Sequence, residues 1–414
     1  MNGDEFDRLI DRALAGRARR NQLRQRTAIT PIDATHIEIA GRRLVNFASN
    51  DYLGLSRHPR VRAAAIAAAL LCGTGSGASP LISGYTDLHA ALEQDLAAWK
   101  GSESALLLPS GYQANLAAIQ AATAIAAGAA AADESGEESV VKPIAAGKGG
   151  APLRVLVDKL VHASIIDAVR LSGAASRVFP HNRFEKLRRL LSDGGDRFVN
   201  LVATESIFSM DGDAANLTAL AELRKEFPFM WLLDDAHGSG ITGPAGAGPA
   251  AAAGIRPDIS IVTFSKSMGC GGGAICASKK FCDAVVNFSR AYIYSTSIAP
   301  PVVGAVREAL RVMRDEPQRA TRLRDITRHV RQKLREMSLR VPDGDSPIIP
   351  IIMGTEEAAL AASRALADAG IYVPAVRPPT VAPGASRLRI TLCCEHTDQE
   401  IERLLESLQV TMRS

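Results

Sequence analysis

FMWLLDDAHG, residues Phe229 to Gly238, is an apolar run that breaks off on two aspartates, a histidine and a glycine. A short apolar stretch bounded by polar and turn-forming residues reads as a strand buried on both faces. Four further runs read the same way: ALLLP from Ala105, RVLVD from Arg154, FVNLVATES from Phe198, and ISIVTFSKS from Ile259, whose strand is expected to end at Lys266. Helical patterns lie near them, in LHAALEQDLAAW, FEKLRRLL and LTALAELRKEF. Strands alternating with amphipathic helices predict an α/β fold built on a large, mostly parallel central sheet. Such sheets place ligands outside the carboxyl ends of their strands, so the polar residues closing these runs are the ones to examine.

In this reading the α/β body spans 46–311. The segment 1–45 holds a helix over Asp4 to Gln25, whose Phe6, Leu9, Ile10, Ala13 and Leu14 recur at helical spacing and must pack on something, followed by a short strand pair. The segment 312–414 reads as a smaller α+β domain, with a charged helix through Arg319 to Glu336, the strand SPIIPIIM, an alanine-rich helix and the late strand RLRITL. Between Gly128 and Ala151, GAAAADESGEESVVKPIAAGKGGA has neither period over most of its length and reads as a mobile surface insertion.

The formal charge of +4, from 48 basic and 44 acidic residues, is too balanced to call for nucleic acid. The cluster Arg17, Arg19, Arg20, Arg24 and Arg26 reads as the solvated face of the N-terminal helix. Six cysteines lack the CxxC spacing of a zinc or redox site and read as reduced thiols, and no metal is expected. The start, MNGDEFDRLIDRAL, carries acidic residues where a secretory signal needs an apolar core, which favours the cytoplasm. Leu116 to Ala132 is the most apolar long stretch, yet it is mostly alanine and short of a roughly 20-residue span, so no membrane segment is expected.

Two strand-end motifs carry the chemistry: LLDDAHG at Leu232 to Gly238 and TFSKSMGCGGGA at Thr263 to Ala274. Pyridoxal phosphate needs a lysine amine to form a Schiff base and an acid to keep its pyridine nitrogen protonated, so that the ring serves as an electron sink. Lys266 and Asp234 fit those parts, and Gly271 to Gly273 allow the backbone to bend closely around the lysine. Alone, either motif is weak, since a terminal carboxylate is often a cap and a loop lysine is usually solvated.

With these motifs, and with SNDYLGL at Ser49 to Leu55, SGY at Ser110 to Tyr112, DKLVHAS at Asp158 to Ser164, SIFSMDGD at Ser206 to Asp213, IYSTS at Ile293 to Ser297 and RPPTVAPGASRLRIT at Arg377 to Thr391, the sequence resembles the α-oxoamine synthases over nearly its whole length. These are fold-type I pyridoxal-phosphate enzymes. The resemblance implies that Lys266 binds the cofactor covalently, that Asp234 pairs with the pyridine nitrogen, that His162 stacks on the ring, and that His237 and Ser209 lie near its phenolic oxygen. It implies phosphate contacts from Gly111, Tyr112 and Thr263, with Ser295 and Thr296 reaching the cofactor of a neighbouring subunit in a homodimer. Without its DKLVHAS context His162 would read as an ordinary satisfied histidine, and Ser209 as a turn residue beside Asp211 and Gly212.

Arg389 is expected to clamp the amino-acid carboxylate, because guanidinium and carboxylate pair bidentately. Alternation puts Arg387 and Arg389 on one strand face, so the choice rests on family position; Arg377 is a neighbouring competitor, and Arg24 and Asn50 are acyl-substrate candidates. RPPTV favours the branch that condenses L-alanine with a pimeloyl thioester, carried on coenzyme A or acyl carrier protein. Sister reactions use glycine or serine with acetyl, succinyl or long-chain acyl thioesters. The sequence departs from the family in its insertion at Gly128 to Ala151 and in TGSGASPLISGYT at Thr74 to Thr86, which bears on the acyl entrance. That second stretch superficially resembles a nicotinamide enzyme's phosphate loop, but it follows the helical RVRAAAIAAALL instead of a strand.

Overall fold

The computed structural model describes residues 3–128, 152–193 and 197–413. Of the stretch expected to form an insertion, only Gly128 falls within the described residues. The chain forms two compact units: Met1–Gly54 with Met210–Gly212 and Thr321–Ser414, and Leu55–Ser209 with Asp213–Ala320.

The first unit joins the two ends of the chain. Strands β1 (Thr30–Pro31), β2 (His36–Ile39) and β3 (Arg42–Asn46) run antiparallel, and β12 (Ile371–Tyr372) adds to β3 in parallel. This pairing groups the segment read as 1–45 with most of that read as 312–414. A second sheet has the order β11 (Ile348–Gly354), β14 (Ser386–Thr391), β13 (Ala375–Val376). The N-terminal helix, Gly3–Arg19, is shorter than its sequence pattern predicts and buries no residue, leaving Phe6, Leu9, Ile10 and Leu14 exposed. The chain leaves it through Asn21, whose φ of 53° is the left-handed conformation that ends helices.

The second unit is built on seven strands: β4 (Ser104–Leu108), β5 (Leu153–Asp158), β6 (Ala175–Phe179), β7 (Val199–Glu205), β8 (Met230–Asp234), β9 (Ile259–Thr263) and β10 (Gly273–Ala277). Their order is β4-β10-β9-β8-β7-β5-β6, and β10 alone runs antiparallel to its neighbours. Five of the seven are the runs read from sequence. Edge strand β6 was missed because ASRVF is too polar and exposed to show a buried pattern. Strand β10 was missed because it emerges from glycines, of which Gly272 adopts a φ of 98°.

Alternate strand residues enter opposite cores. Val155, Val157, Leu201, Ala203, Leu232, Ile259 and Ile261 share one cluster with the helices Gly111–Ala126 and Ala163–Ser172. Leu156, Val202, Trp231 and Leu233 share the other with Phe184–Ser192 and Leu217–Glu226. From Leu116 to Ala126 the apolar stretch is the body of the helix Gly111–Ala126, where buried Ala117, Ala118, Ala121 and Ala122 let the backbone lie close to the sheet. Among the described residues no helix is long and apolar enough to cross a membrane.

Candidate active site

Pleat parity separates the two aspartates that end β8. Asp234 follows Leu232 onto the face covered by Gly111–Ala126, where Asn115 Nδ2 donates to its Oδ2 at 2.6 Å and the Ala236 N–H to its Oδ1 at 3.0 Å. Asp235 goes elsewhere. It forms a buried ion pair with Lys100 and accepts from Ser206 and from Ser239 Oγ, while Lys100 Nζ also reaches Ala247 O at 2.6 Å. A buried pair whose remaining donors and acceptors are met in this way is a structural element. Of the two neighbours, Asp234 is therefore the one whose charge is not already met by a lysine at hydrogen-bond distance.

Around Asp234 stand the other strand ends. Thr263 closes β9, and the helix Gly111–Ala126 starts beside it: a Cβ built on Gly111 would lie 3.1 Å from Thr263 Cβ and 3.3 Å from its Oγ1. A side chain at this position would have to push Thr263 back by a few tenths of an ångström. The first amides of a helix have no intrahelical acceptor, which makes its start suited to a dianion. Ser110 caps it by accepting from the Gln113 N–H at 3.1 Å. Tyr112 donates to Asp167 Oδ2 at 2.6 Å and sets its ring edge-on to His162, centroids 6.4 Å apart.

Beyond β9, Lys266 Nζ lies 3.2 Å from His237 Nε2. His162 caps the helix Ala163–Ser172, and its Nδ1 accepts from the Ser164 N–H at 3.2 Å. Burial pushes the His162 imidazole below its ordinary value, aided by Lys266 and opposed by Asp234 and Asp167. Burial pushes Asp234 up, while Asn115, the Ala236 N–H, His162 and Lys266 pull it back.

Glu205 escaped the sequence reading. It closes β7 in register with Asp234, is 2% exposed, and faces the backbone N–H groups of His162 and Ser209. Burial first, and the neighbouring Asp234 second, hold its carboxyl well above the usual range. Asn115 and Ser164 also escaped, although a lone buried asparagine among the alanines of Gly111–Ala126 is a signal that sequence offers.

Two acidic residues of the recognised motifs serve structure. His181 Nδ1 lies 3.0 Å from Asp158 Oδ1 and its Nε2 lies 2.7 Å from Asp213 Oδ2, tying together the ends of β5 and β6 and the turn after β7. Burial alone lowers His181, but the two carboxylates outweigh it and hold the imidazole at about 10. A raised folded-state value stabilises fully below the unfolded value near 6.5 and is lost as pH climbs through about 10. Urea midpoints of the wild-type protein should therefore fall between neutral and alkaline pH more steeply than those of His181→Gln; parallel curves would remove this role.

In the smaller unit, Arg387 is ion-paired with Asp211 Oδ1 at 2.8 Å and donates to Met210 O at 3.0 Å. Arg389 donates to Asn50 Oδ1 at 3.2 Å from both Nη atoms and to Thr391 Oγ1 at 2.9 Å. Arg377 donates to the Asn21 carbonyl, and Arg24 to Thr380 Oγ1 at 2.7 Å. In the larger unit, Ser295 Oγ accepts from Gln113 Nε2 of its own chain at 2.7 Å, while Thr296 follows it in the same loop.

A buried carboxyl, a lysine amine and a helix start at the carboxyl ends of a mostly parallel sheet suit a group-transfer enzyme with a phosphorylated cofactor. The chain belongs to the aminotransferase class I and II family, which it matches over residues 42–134 and 144–408. It is 39% identical over 403 residues to the 8-amino-7-oxononanoate synthase of Klebsiella pneumoniae, covering 96% of this chain and 97% of that protein. It is 36% identical over 412 residues to the enzyme of the same name from Cellvibrio japonicus, covering 99% and 97%. Among solved structures, serine palmitoyltransferase from S. paucimobilis with a bound PLP–myriocin aldimine is similar with a TM-score of 0.86 at 28% identity, covering 99% of this chain and 98% of that one. The 8-amino-7-oxononanoate synthase of Francisella tularensis, at 24% identity and a TM-score of 0.72, covers 89% and 98% and shares the fold.

Proposed function

We propose that this chain is a pyridoxal-phosphate-dependent acyltransferase that condenses L-alanine with a pimeloyl thioester to give 8-amino-7-oxononanoate, a step of biotin formation. The observation that carries the reading is 39% identity, across 96% of the chain, to an enzyme named for that product. One proton is taken up; carbon dioxide and the free thiol carrier leave. Coenzyme A and acyl carrier protein are both compatible carriers.

The residues present fit the cofactor. Lys266 would hold it covalently, Asp234 would meet its ring nitrogen, His162 its face, and His237 and Ser209 its phenolic oxygen. Gly111, Tyr112 and Thr263 would hold the phosphate, the open approach at Gly111 leaving room for an anion beside the helix start. When bound, the group supplies a sink for the electron pair left at alanine Cα. Lys266 Nζ is the base that removes the Cα proton and later returns one, with His237 Nε2 at 3.2 Å as its neighbour.

Arg389 is the proposed partner of the alanine carboxylate, held by Asn50 and Thr391. Arg24 and Asn50 are proposed for the acyl substrate, with Arg377 the competing candidate for the carboxylate. Arg389→Lys keeps the charge but loses the planar fork, so the KM for L-alanine should rise by about 10- to 100-fold with a smaller change in kcat. An unchanged KM would reassign the carboxylate to another residue.

The reading includes a homodimer with Ser295 and Thr296 shared across the interface. Exposed Leu70, Leu71, Ile82 and Tyr294 supply apolar surface for it. The loop around Thr74–Thr86 is tied to the Ser295 segment by Ser76 Oγ donating to Ser297 O at 2.8 Å and the Ser297 N–H to Ala78 O at 3.1 Å. Six free thiols fit a reducing compartment such as the cytoplasm.

A sister reading, serine with a long-chain acyl thioester, draws on the serine palmitoyltransferase structures. The higher identity to the oxononanoate synthases favours alanine. Visible absorption distinguishes them: the cofactor band should answer L-alanine and change again on addition of pimeloyl-coenzyme A. A response confined to serine or glycine would establish the sister reading, and absence of any band after reconstitution would remove both.

A further inference from the structure

Behind Asp234 lies a chain of buried polar atoms that the proposed reaction does not use. Asn115, 1% exposed, donates from Nδ2 both to Asp234 Oδ2 at 2.6 Å and to Ser164 Oγ at 2.9 Å. Ser164 is fully buried, and its Oγ lies 2.8 Å from His162 Nδ1. The Ser164 backbone N–H points at the same nitrogen from 3.2 Å. A backbone N–H only donates, so His162 Nδ1 is an acceptor and the ring hydrogen of the neutral imidazole sits on Nε2. Because Ser164 Oγ receives a hydrogen from Asn115, its own hydroxyl hydrogen is available to Nδ1 as a second donor.

We propose that Asn115 and Ser164 are positioning residues that hold His162 as the neutral imidazole with hydrogen on Nε2 and so keep the negative charge of the site on Asp234. This deepens the cofactor reading and rests on it for the use made of Asp234.

Asp234 and His162 attract each other, and a proton resting on the histidine would turn them into an internal ion pair closed to any incoming cation. Two charged groups besides Asp234 act on His162: Lys266, which disfavours a second positive charge, and Asp167 on its own helix, which favours one. Tyr112 stands edge-on to the ring, and Glu205 holds the backbone at His162. Protonation at Nδ1 would set that hydrogen against the fixed Ser164 backbone N–H and oblige the Ser164 hydroxyl, accepting then from both Asn115 and Nδ1, to give up its own donor bond in a buried place, which is costly. Asparagine suits the position because one planar amide carries two hydrogens and no charge. An aspartate there would donate nothing and would repel Asp234.

The test is a pH titration of histidine-labelled apoprotein by proton–nitrogen correlation spectra, with His162 assigned by its loss in His162→Gln. The wild-type protein should show Nε2–H and bare Nδ1, and should stay neutral to lower pH than an ordinary histidine. Ser164→Ala, which keeps the backbone donor, should mix the two tautomers and move the titration up by about one pH unit. Asn115→Leu, similar in shape without donors, should move it the same way. A wild-type His162 bearing its hydrogen on Nδ1, or Ser164→Ala and wild-type curves that coincide, would overturn the proposal. The readout involves neither cofactor nor substrate, so a loss of the proposed reaction and a loss of this relay are separate results.

Discussion

Lys266→Ala should fold with an unchanged unfolding transition and lose turnover by at least about 10⁴-fold. The lysine is assigned two tasks, holding the cofactor and moving the Cα proton, and no neighbour can take both. His237 Nε2, 3.2 Å from the amine, is an imidazole that lies in reach of the same proton yet cannot form the covalent link. The variant should accordingly keep some affinity for pyridoxal phosphate through the helix start at Gly111, without the visible band of the lysine-bound form. Turnover within about tenfold of wild type would displace Lys266 from the assignment.

The second large effect sets two adjacent aspartates against each other. Asp234→Asn removes the charge proposed for the ring nitrogen and should lower kcat/KM on the order of 10³-fold. Its cost in stability should be small, because burial already pushes that carboxyl up and a neutral amide relieves the penalty. Asp235→Asn leaves Lys100 buried without its counter-charge, a loss of about 3–5 kcal/mol that reads as a lowered melting temperature. Measuring kcat/KM and thermal unfolding on both proteins checks the pair. If Asp235→Asn loses turnover while Asp234→Asn keeps it, the roles are reversed.

The sheet was legible because strands buried on both faces leave continuous apolar runs, and those of β5, β7, β8 and β9 end on Asp158, Glu205, Asp234 and Thr263. Asp234 stands out in the sequence because it closes such a run, and Lys266 because it follows one, three residues past the end of β9 at Thr263. Alternation did not separate Arg389 from Arg387, since the strand puts both on one face, and the ion pair that Arg387 makes is with Asp211, which is remote in sequence. The relay was equally hidden. Asn115 lies 119 positions from Asp234 and 49 from Ser164, and no local pattern links residues that distant. Glu205 hid for a different reason: at the end of VNLVATE it looks like a residue leaving the strand for solvent, whereas the loops of His162 and Ser209 fold over it. The amphipathic helix Gly3–Arg19 shows the converse, a clear periodicity whose apolar stripe leaves Phe6, Leu9, Ile10 and Leu14 exposed.

The most direct measurement gives the reconstituted protein L-alanine labelled with carbon-13 at the carboxyl, together with pimeloyl-coenzyme A, and follows the products by mass spectrometry. The account predicts unlabelled 8-amino-7-oxononanoate, with labelled carbon dioxide and free coenzyme A released in equal amounts. Product formed only from serine or glycine with another thioester, or thioester consumed without release of carbon dioxide, would contradict it.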